Sequence, residues 1–304
     1  MGRIVSRRLE RRPTSLAGVS RLYVTTSDGL RLAVTDFGSP GDARPTLVCV
    51  HGYPDNASVW LPLVRILGSD LRIVTYDVRG HGSSQAPAAR EGYLIEQLNA
   101  DLQSVIDAVS PSAPVHLLGH DWGSTQTWEA VAGNVPSERI ATFTSISGPS
   151  LDQTGAWLRT PGRTARGVLE RLKQGAGSTY IGFFQAPLVP ELAWRSGVLD
   201  RIVGGSAVDR TRADRINGLE LYRANAIARM GRPQPRPVTV PVQVIAPVGD
   251  AYVSRALAAE APAPYVADLT VREVDGSHWV VADHPERVAP LVRDFVLARN
   301  HPRR

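Results

Sequence analysis

The 304-residue sequence holds one cysteine, one lysine and two methionines, and its aromatic share is only 6%. With Cys49 alone, no disulfide can form within the chain, and its place in the apolar run 46–50 makes it a structural thiol. No group of cysteines and histidines has metal-ligand spacing, so no metal is expected. No run approaches the ~18 uninterrupted apolar residues of a membrane span. The N-terminus lacks the apolar region of a signal peptide, so a soluble, cytoplasmic protein is expected. Met1-Gly2-Arg3-Ile4-Val5-Ser6 fits the loose myristoylation pattern, which is too short to carry an assignment. The glycine fingerprint of a dinucleotide site is also missing, and no cofactor is implied.

A net charge of +5, from 34 basic and 29 acidic residues, raises the question of nucleic acid. Its location argues against that partner. Arg3, Arg7, Arg8, Arg11, Arg12, Arg303 and Arg304 lie in the tails with one acid, Glu10, leaving 27 basic and 28 acidic residues in the body. Residues 1–18 therefore read as a basic arm. Within the body, residues 149–236 carry 14 basic and 7 acidic side chains, so the remainder is acidic. A basic segment over an acidic core would bring a substrate entrance to an anionic membrane as a peripheral contact; solvated helix faces would account for the same count.

Two alternating β-branched runs, 21–26 and 31–37, flank Ser27-Asp28-Gly29, a hairpin signal. The continuous apolar runs 46–50, 71–76 and 115–118 have the character of strands buried on both faces of a parallel sheet. Helical periodicity over 94–109 separates the second from the third, and a further strand is expected at 140–146. From 150 to 236 the rhythm stops in favour of short helix-like pieces rich in Gly, Pro, Arg and Trp, which read as an inserted helical cap. It resumes with strand 242–247, helix 253–260, strand 269–274 and helix 285–298. The expected organisation is an α/β core over 19–149 and 237–300, with a site beyond the carboxyl ends of the strands.

Chemistry centres on Gly119-His120-Asp121-Trp122-Gly123-Ser124, which follows a strand and precedes a helix-like run from Thr125. Small residues around the apex of such a turn let a strained backbone push one side chain above the sheet. The apex is Asp121, and a carboxylate of ordinary pKa about 3.9 can attack an activated sp3 carbon without a base. An ordinary strand–helix turn with a capping aspartate would look the same in isolation. Later strand ends supply partners: Asp250 after 242–248, and His278 in Asp275-Gly276-Ser277-His278-Trp279. Nucleophile, acid, histidine is the chain order of α/β-hydrolases. Asp275 stays open as the acid because it is close to the histidine in sequence, and Asp283 reads as a helix cap before Pro285. The Tyr53 amide in His51-Gly52-Tyr53-Pro54 and the Trp122 amide are candidate oxyanion donors. Asp77, Arg79 and His81 read as a hydrogen-bonded structural loop.

With these motifs in place, the chain resembles an α/β-hydrolase of the epoxide hydrolase family over nearly all of residues 20–300. The resemblance implies that two cap tyrosines donate to the epoxide oxygen, and Tyr180 and Tyr222 lie in segments similar to the family's tyrosine segments. It also implies Phe183, Phe184 and Trp279 as substrate-binding residues. A cofactor-independent conversion of a small-molecule or lipid epoxide and water to a diol follows, through an aspartyl ester. Haloalkane dehalogenases share the elbow, but many have an asparagine where Tyr53 stands. A catalytically silent binding module of the same fold is the alternative outside enzymology. The acid loop Ala246-Pro247-Val248-Gly249-Asp250 lacks the glutamate or lysine that often precedes the aspartate. The chain further resembles the N-terminal half of bacterial fusions that continue into a short-chain dehydrogenase.

Overall fold

The computed structural model describes residues 18–39, 42–162, 164–203 and 208–300. The basic arm over 1–17, the myristoylation-like hexapeptide and the two C-terminal arginines lie outside the described residues. Among the described residues eight strands form one sheet: β1 (Ser20–Thr25), β2 (Arg31–Asp36), β3 (Thr46–Val50), β4 (Arg72–Tyr76), β5 (Val115–His120), β6 (Ile140–Ile146), β7 (Val242–Pro247) and β8 (Leu269–Val274). Their spatial order is β1-β2-β4-β3-β5-β6-β7-β8. The hairpin β1–β2 and the β2–β4 pair are antiparallel, and every other pairing is parallel.

Alternation along the central strands explains why their runs are apolar throughout. Leu47 and Cys49 face a cluster with Leu63, Val64, Val280 and Val288, whereas Val48 and Val50 face another with Leu98, Leu102 and Val105. Helices Leu61–Leu67 and Pro285–Ala298 cover the first face, and helix Ile95–Val109 covers the second. β5 runs two residues past its apolar stretch, because Gly119 and His120 still pair with Ser145 and Ile146 of β6. The elbow consequently leads straight into helix Trp122–Glu129, which begins at Trp122 and not at Thr125.

Between β6 and β7 the chain leaves the sheet for seven helices among the described residues, from Leu151–Arg159 to Leu219–Gly231. This insertion is tied to core loops by buried polar groups. Asp214 closes a capping box at Thr211 and also accepts from Asn56 Nδ2 and the Gly82 amide. The Tyr53 hydroxyl donates to the Arg215 carbonyl, and Trp194 Nε1 donates to that hydroxyl at 2.6 Å. Gln174 clamps the loop after Asp250: its amide donates to the Tyr252 carbonyl and accepts from the Ser254 amide, both at 2.8 Å. Among the described residues no helix is long and apolar enough to cross a membrane.

The loop after β4 is structural, as its composition suggests. Arg79, fully buried, reaches Asp101 through Nε and Nη2 at 2.6 Å each, and Asp28 through Nη1 at 2.9 Å. His51 Nε2 accepts from the Val78 amide at 2.8 Å, and burial pushes the His81 imidazole down to about 4. Truncating one partner of a buried pair strands the other charge. Asp101→Ala should lower unfolding stability by about 3–5 kcal/mol, read from denaturant midpoints; an unchanged midpoint would contradict this account of the loop.

Candidate active site

The Asp121 backbone has φ 51°, a left-handed value that disfavours any side chain with a Cβ. The strain is held in place by close packing on both sides of the turn. A Cβ on Gly123 would lie 2.0 Å from the Val50 carbonyl oxygen, and one on Gly52 would lie 2.4 Å from Asp121 Oδ1. Only glycine at these two positions lets the His51-Gly52 loop and the elbow approach this closely, so sequence and strain are two sides of one constraint.

At the apex the Asp121 carboxylate is held from two directions. The Tyr53 amide donates to Oδ1 at 2.7 Å, and His278 Nε2 lies 3.5 Å from Oδ2. Trp122 opens the following helix, so its amide is among the first-turn donors without an intrahelical acceptor. On the other edge of the imidazole, His278 Nδ1 meets Asp250 Oδ1 at 3.0 Å and Oδ2 at 3.1 Å. Asp250 is the acid in contact with the histidine. Asp275 follows β8, and it is its backbone carbonyl that accepts from Arg287. Asp283 is not the cap of the last helix: it ends a short helix, Val280–Asp283, and His284 occupies the N-cap. The Pro285 signal was placed correctly, but one extra helical turn precedes it.

Electrostatics follow from this geometry. Burial opposes charge on His278, yet the Asp250 and Asp121 carboxylates outweigh it and raise the imidazole from 6.5 to about 10. Burial works against ionised Asp250 too, but His278 and the Tyr252 and Val253 amides bring its carboxyl below the ordinary value. Behind Asp121, His120 Nε2 bonds the His278 carbonyl at 2.9 Å, and burial lowers its pKa, so a neutral imidazole steadies the loop.

Two narrow apolar chambers, of about 60 and 100 Å³, meet at Asp121, Tyr180, Tyr222 and Tyr252. Tyr222 is buried and Tyr180 half-buried, with ring centroids 5.9 Å apart at 80°. Burial first, and then neighbouring anionic or phenolic groups, raise both hydroxyls well above the ordinary phenol range, which keeps them as neutral donors. The indole of Trp122 packs edgewise on Tyr222 at 4.8 Å. Phe184 is buried against Tyr53, Tyr180 and Tyr222, while Phe183 sits at the solvent edge of the larger chamber. Trp279 lines the same chamber, and its Nε1 donates to buried Asp55, which also binds Arg210.

Sequence reasoning missed Tyr252. Its ring lies 4.9 Å from that of His278 and 5.5 Å from that of Tyr180, and it borders both chambers. The available signal was position: an aromatic two residues past the acid shares its loop, and the Tyr252 amide bonds Asp250 Oδ1 at 2.8 Å. Gln174 gave no such signal, because the partners that tie it to this loop are backbone atoms 78 and 80 residues away.

Comparison with known proteins places the chain in a fold family. A family model for the alpha/beta hydrolase fold matches residues 45–285. A curated protein of Mycobacterium tuberculosis, "Probable oxidoreductase EphD", is 36% identical over 297 residues, covering 91% of this chain and 49% of that protein. "Epoxide hydrolase 3" of Xenopus tropicalis is 25% identical over 316 residues, covering 93% of this chain and 79% of that protein. The chain thus spans about half the length of the first of these relatives. A solved structure titled as novel epoxide hydrolases from metagenomes of hot environments superposes with a TM-score of 0.75 at 21% identity, covering 93% of this chain and 99% of its own. At that identity the likeness concerns the fold.

The Asp121–His278 contact makes a pH-dependent prediction. Folding raises the imidazole pKa, so the stability it contributes is fully present below pH 6.5 and is lost as pH rises towards 10. Asp121→Asn removes one of the two anions, so NMR titration should find the His278 pKa lower than in the parent chain. The stability loss between these pH values should shrink with it. An unchanged imidazole pKa would contradict the ion-pair assignment.

Proposed function

The chain belongs to the alpha/beta hydrolase fold family, and from that premise we propose that it is a cofactor-independent epoxide hydrolase working through an ester on Asp121. The observation that carries this reading is the placement of two neutral phenols, Tyr180 and Tyr222, at the same junction as a carboxylate nucleophile paired with a histidine base.

In the first step Asp121 Oδ2 bonds to one ring carbon while that carbon's bond to the epoxide oxygen breaks. Oδ1, held by the Tyr53 amide, remains as the ester carbonyl oxygen. The developing alkoxide accepts hydrogen bonds from Tyr180 and Tyr222, which have no charge to lose beforehand. Ester formation also removes the anion that faces His278 Nε2. The imidazole then gives up its proton, which the alkoxide takes, and becomes a neutral base. In the second step His278, oriented by Asp250, removes a proton from water, and the oxygen attacks the ester carbonyl carbon. The Tyr53 and Trp122 amides hold the oxyanion. Collapse breaks the bond between acyl carbon and alkyl oxygen, the leaving alkoxide takes the proton of the new carboxyl group, and a vicinal diol departs. Asp121 is again a carboxylate facing a protonated histidine, so protons and oxygen atoms balance.

Chambers on both sides of Asp121 support a substrate carrying a substituent on each epoxide carbon, with Phe183, Phe184 and Trp279 against one arm. Residues 150–236 act in this reading as a cap. The segment's excess of basic residues supports a peripheral contact with an anionic membrane, and with it a lipid epoxide as substrate.

The phenols separate this reading from dehalogenation, because a departing halide needs only weak donors whereas an alkoxide stays on the substrate. Tyr222→Phe should slow alkylation by an epoxide about 10²–10³-fold, the cost of one oxyanion donor. The double variant Tyr180→Phe/Tyr222→Phe should nearly abolish it, measured by stopped-flow on a panel of epoxides. Wild-type turnover in the double variant, or halide release from haloalkanes with epoxides untouched, would refute the assignment.

A further inference from the structure

A second concave feature of the insertion takes no part in the chemistry above. It is a cleft of about 380 Å³ lined by Trp194, Arg195, Arg212, Arg215 and Ile216. Three guanidinium groups converge there with little to neutralise them. Arg215 pairs with Asp200 through Nη2 at 2.9 Å, yet its buried Nε has no acceptor among the described residues. Arg195 and Arg212 are exposed and make no ion pair among the described residues. Of the acids near by in sequence, Asp214 is engaged with Asn56, Gly82 and Thr211, and Glu191 pairs with Arg223 while its field also reaches Arg195. A buried N–H without an acceptor among the described residues, beside two guanidinium groups that make no close ion pair there, suits an anion of several oxygens.

The surface around the cleft is apolar. Leu192 and Arg195 lie at i and i+3 on one exposed stripe of helix Val189–Arg195 that ends at the cleft, and Leu188 is the exposed N-cap before that helix. Leu188 and Leu192 are 72% and 59% exposed. Leu188 also sits at φ 65°, so an apolar side chain is kept in water on a strained backbone, a combination that packing within the chain does not explain. On the following helix Ile202 is 68% exposed and at the same time lines the chamber that reaches Asp121. A cation cleft, an apolar stripe and the chamber's rim therefore share one region.

We propose that this face docks on an anionic lipid surface, with the phosphate of a lipid headgroup in the cleft of Arg195, Arg212 and Arg215 and with Leu188, Leu192 and Ile202 in the headgroup–acyl boundary. Charge complementarity selects this occupant over a second copy. Residues 149–236 carry 14 basic against 7 acidic side chains, whereas the rest of the body is acidic, so an anionic plane attracts this end and repels the other. The chamber edge then faces the lipid, and an epoxide on an acyl chain reaches Asp121 without crossing water. The substrate part rests on the epoxide hydrolase reading; the docking part does not.

The full chain is tested by co-sedimentation with phosphatidylglycerol vesicles, phosphatidylcholine vesicles and, separately, titration with inorganic phosphate. Binding to phosphatidylglycerol alone is expected, with inorganic phosphate competing only at millimolar concentration. Arg195→Gln/Arg212→Gln should weaken vesicle binding about 30-fold, since each basic residue near such a surface contributes about a factor of five. Leu188→Asn/Leu192→Ser should weaken it as well, and asparagine tolerates the left-handed backbone, so folding is preserved. Turnover of a water-soluble epoxide without vesicles should be unchanged in all variants. Vesicle binding insensitive to both double variants, or tight binding of free phosphate without vesicles, would overturn the proposal. So would a dimer that the leucine substitutions dissolve while vesicle binding stays the same. If vesicles bind as expected but no epoxide is turned over, the activity reading fails and the docking surface stands.

Discussion

The contact between the Asp121 carboxylate and the His278 imidazole, 3.5 Å from Oδ2 to Nε2, is the interaction on which the rest of the site depends. Each partner has a second anchor that sets its direction. Asp121 is pinned by the Tyr53 amide and by a backbone at φ 51°, and His278 by both oxygens of Asp250 and by His120 under its carbonyl. Because Asp250 and Asp121 together hold the imidazole proton, a reaction that consumes one of the anions changes the basicity of the histidine at the moment a base is required. In the proposed scheme the same residue balances charge before ring opening and accepts a proton after it.

The surrounding structure serves to keep this contact in register. Glycines at 52 and 123 bring the β3 loop and the elbow within reach of each other, and the insertion is bolted to the Tyr53 loop and to the loop after Asp250. Trp194 and the Arg215 carbonyl fix the Tyr53 ring from above, while Gln174 fixes the backbone on either side of Val253. Asp55 joins the Tyr53 loop to the His278 loop by accepting from Trp279 and Arg210 at once. The phenols of Tyr180 and Tyr222 are therefore presented by a segment whose position is set by the core they face. Apolar packing of Phe184, Trp194, Leu219 and Leu221 into the main core supports the insertion, and the polar ties add direction to it.

Much of the fold was legible because parallel strands buried on both faces are mostly apolar and β-branched, and 46–50, 140–146 and 242–247 coincide with β3, β6 and β7. The order of Asp121, Asp250 and His278 was legible because strand ends in this architecture converge on one edge. What escaped the sequence was set by distant neighbours. Helix Trp122–Glu129 starts three residues early because the elbow has no linker, and the added turn Val280–Asp283 displaces Asp283 from the cap. Tyr252 is an aromatic on a loop until the fold lays it beside His278, and the cleft of Arg195, Arg212 and Arg215 assembles residues from two helices of the insertion. Composition registered the latter as a charge excess without a location.

The claim that Asp121 itself bonds to substrate has a direct isotopic test. In the scheme above the diol's new oxygen comes from the Asp121 carboxylate, and solvent oxygen replaces it in the protein. A single turnover in H2(18)O, with enzyme in excess over an epoxide, should give an unlabelled diol and place the label on the peptide containing Asp121. Label in the diol from that first turnover, with none on the peptide, would mean that water attacks the epoxide directly and would contradict the account.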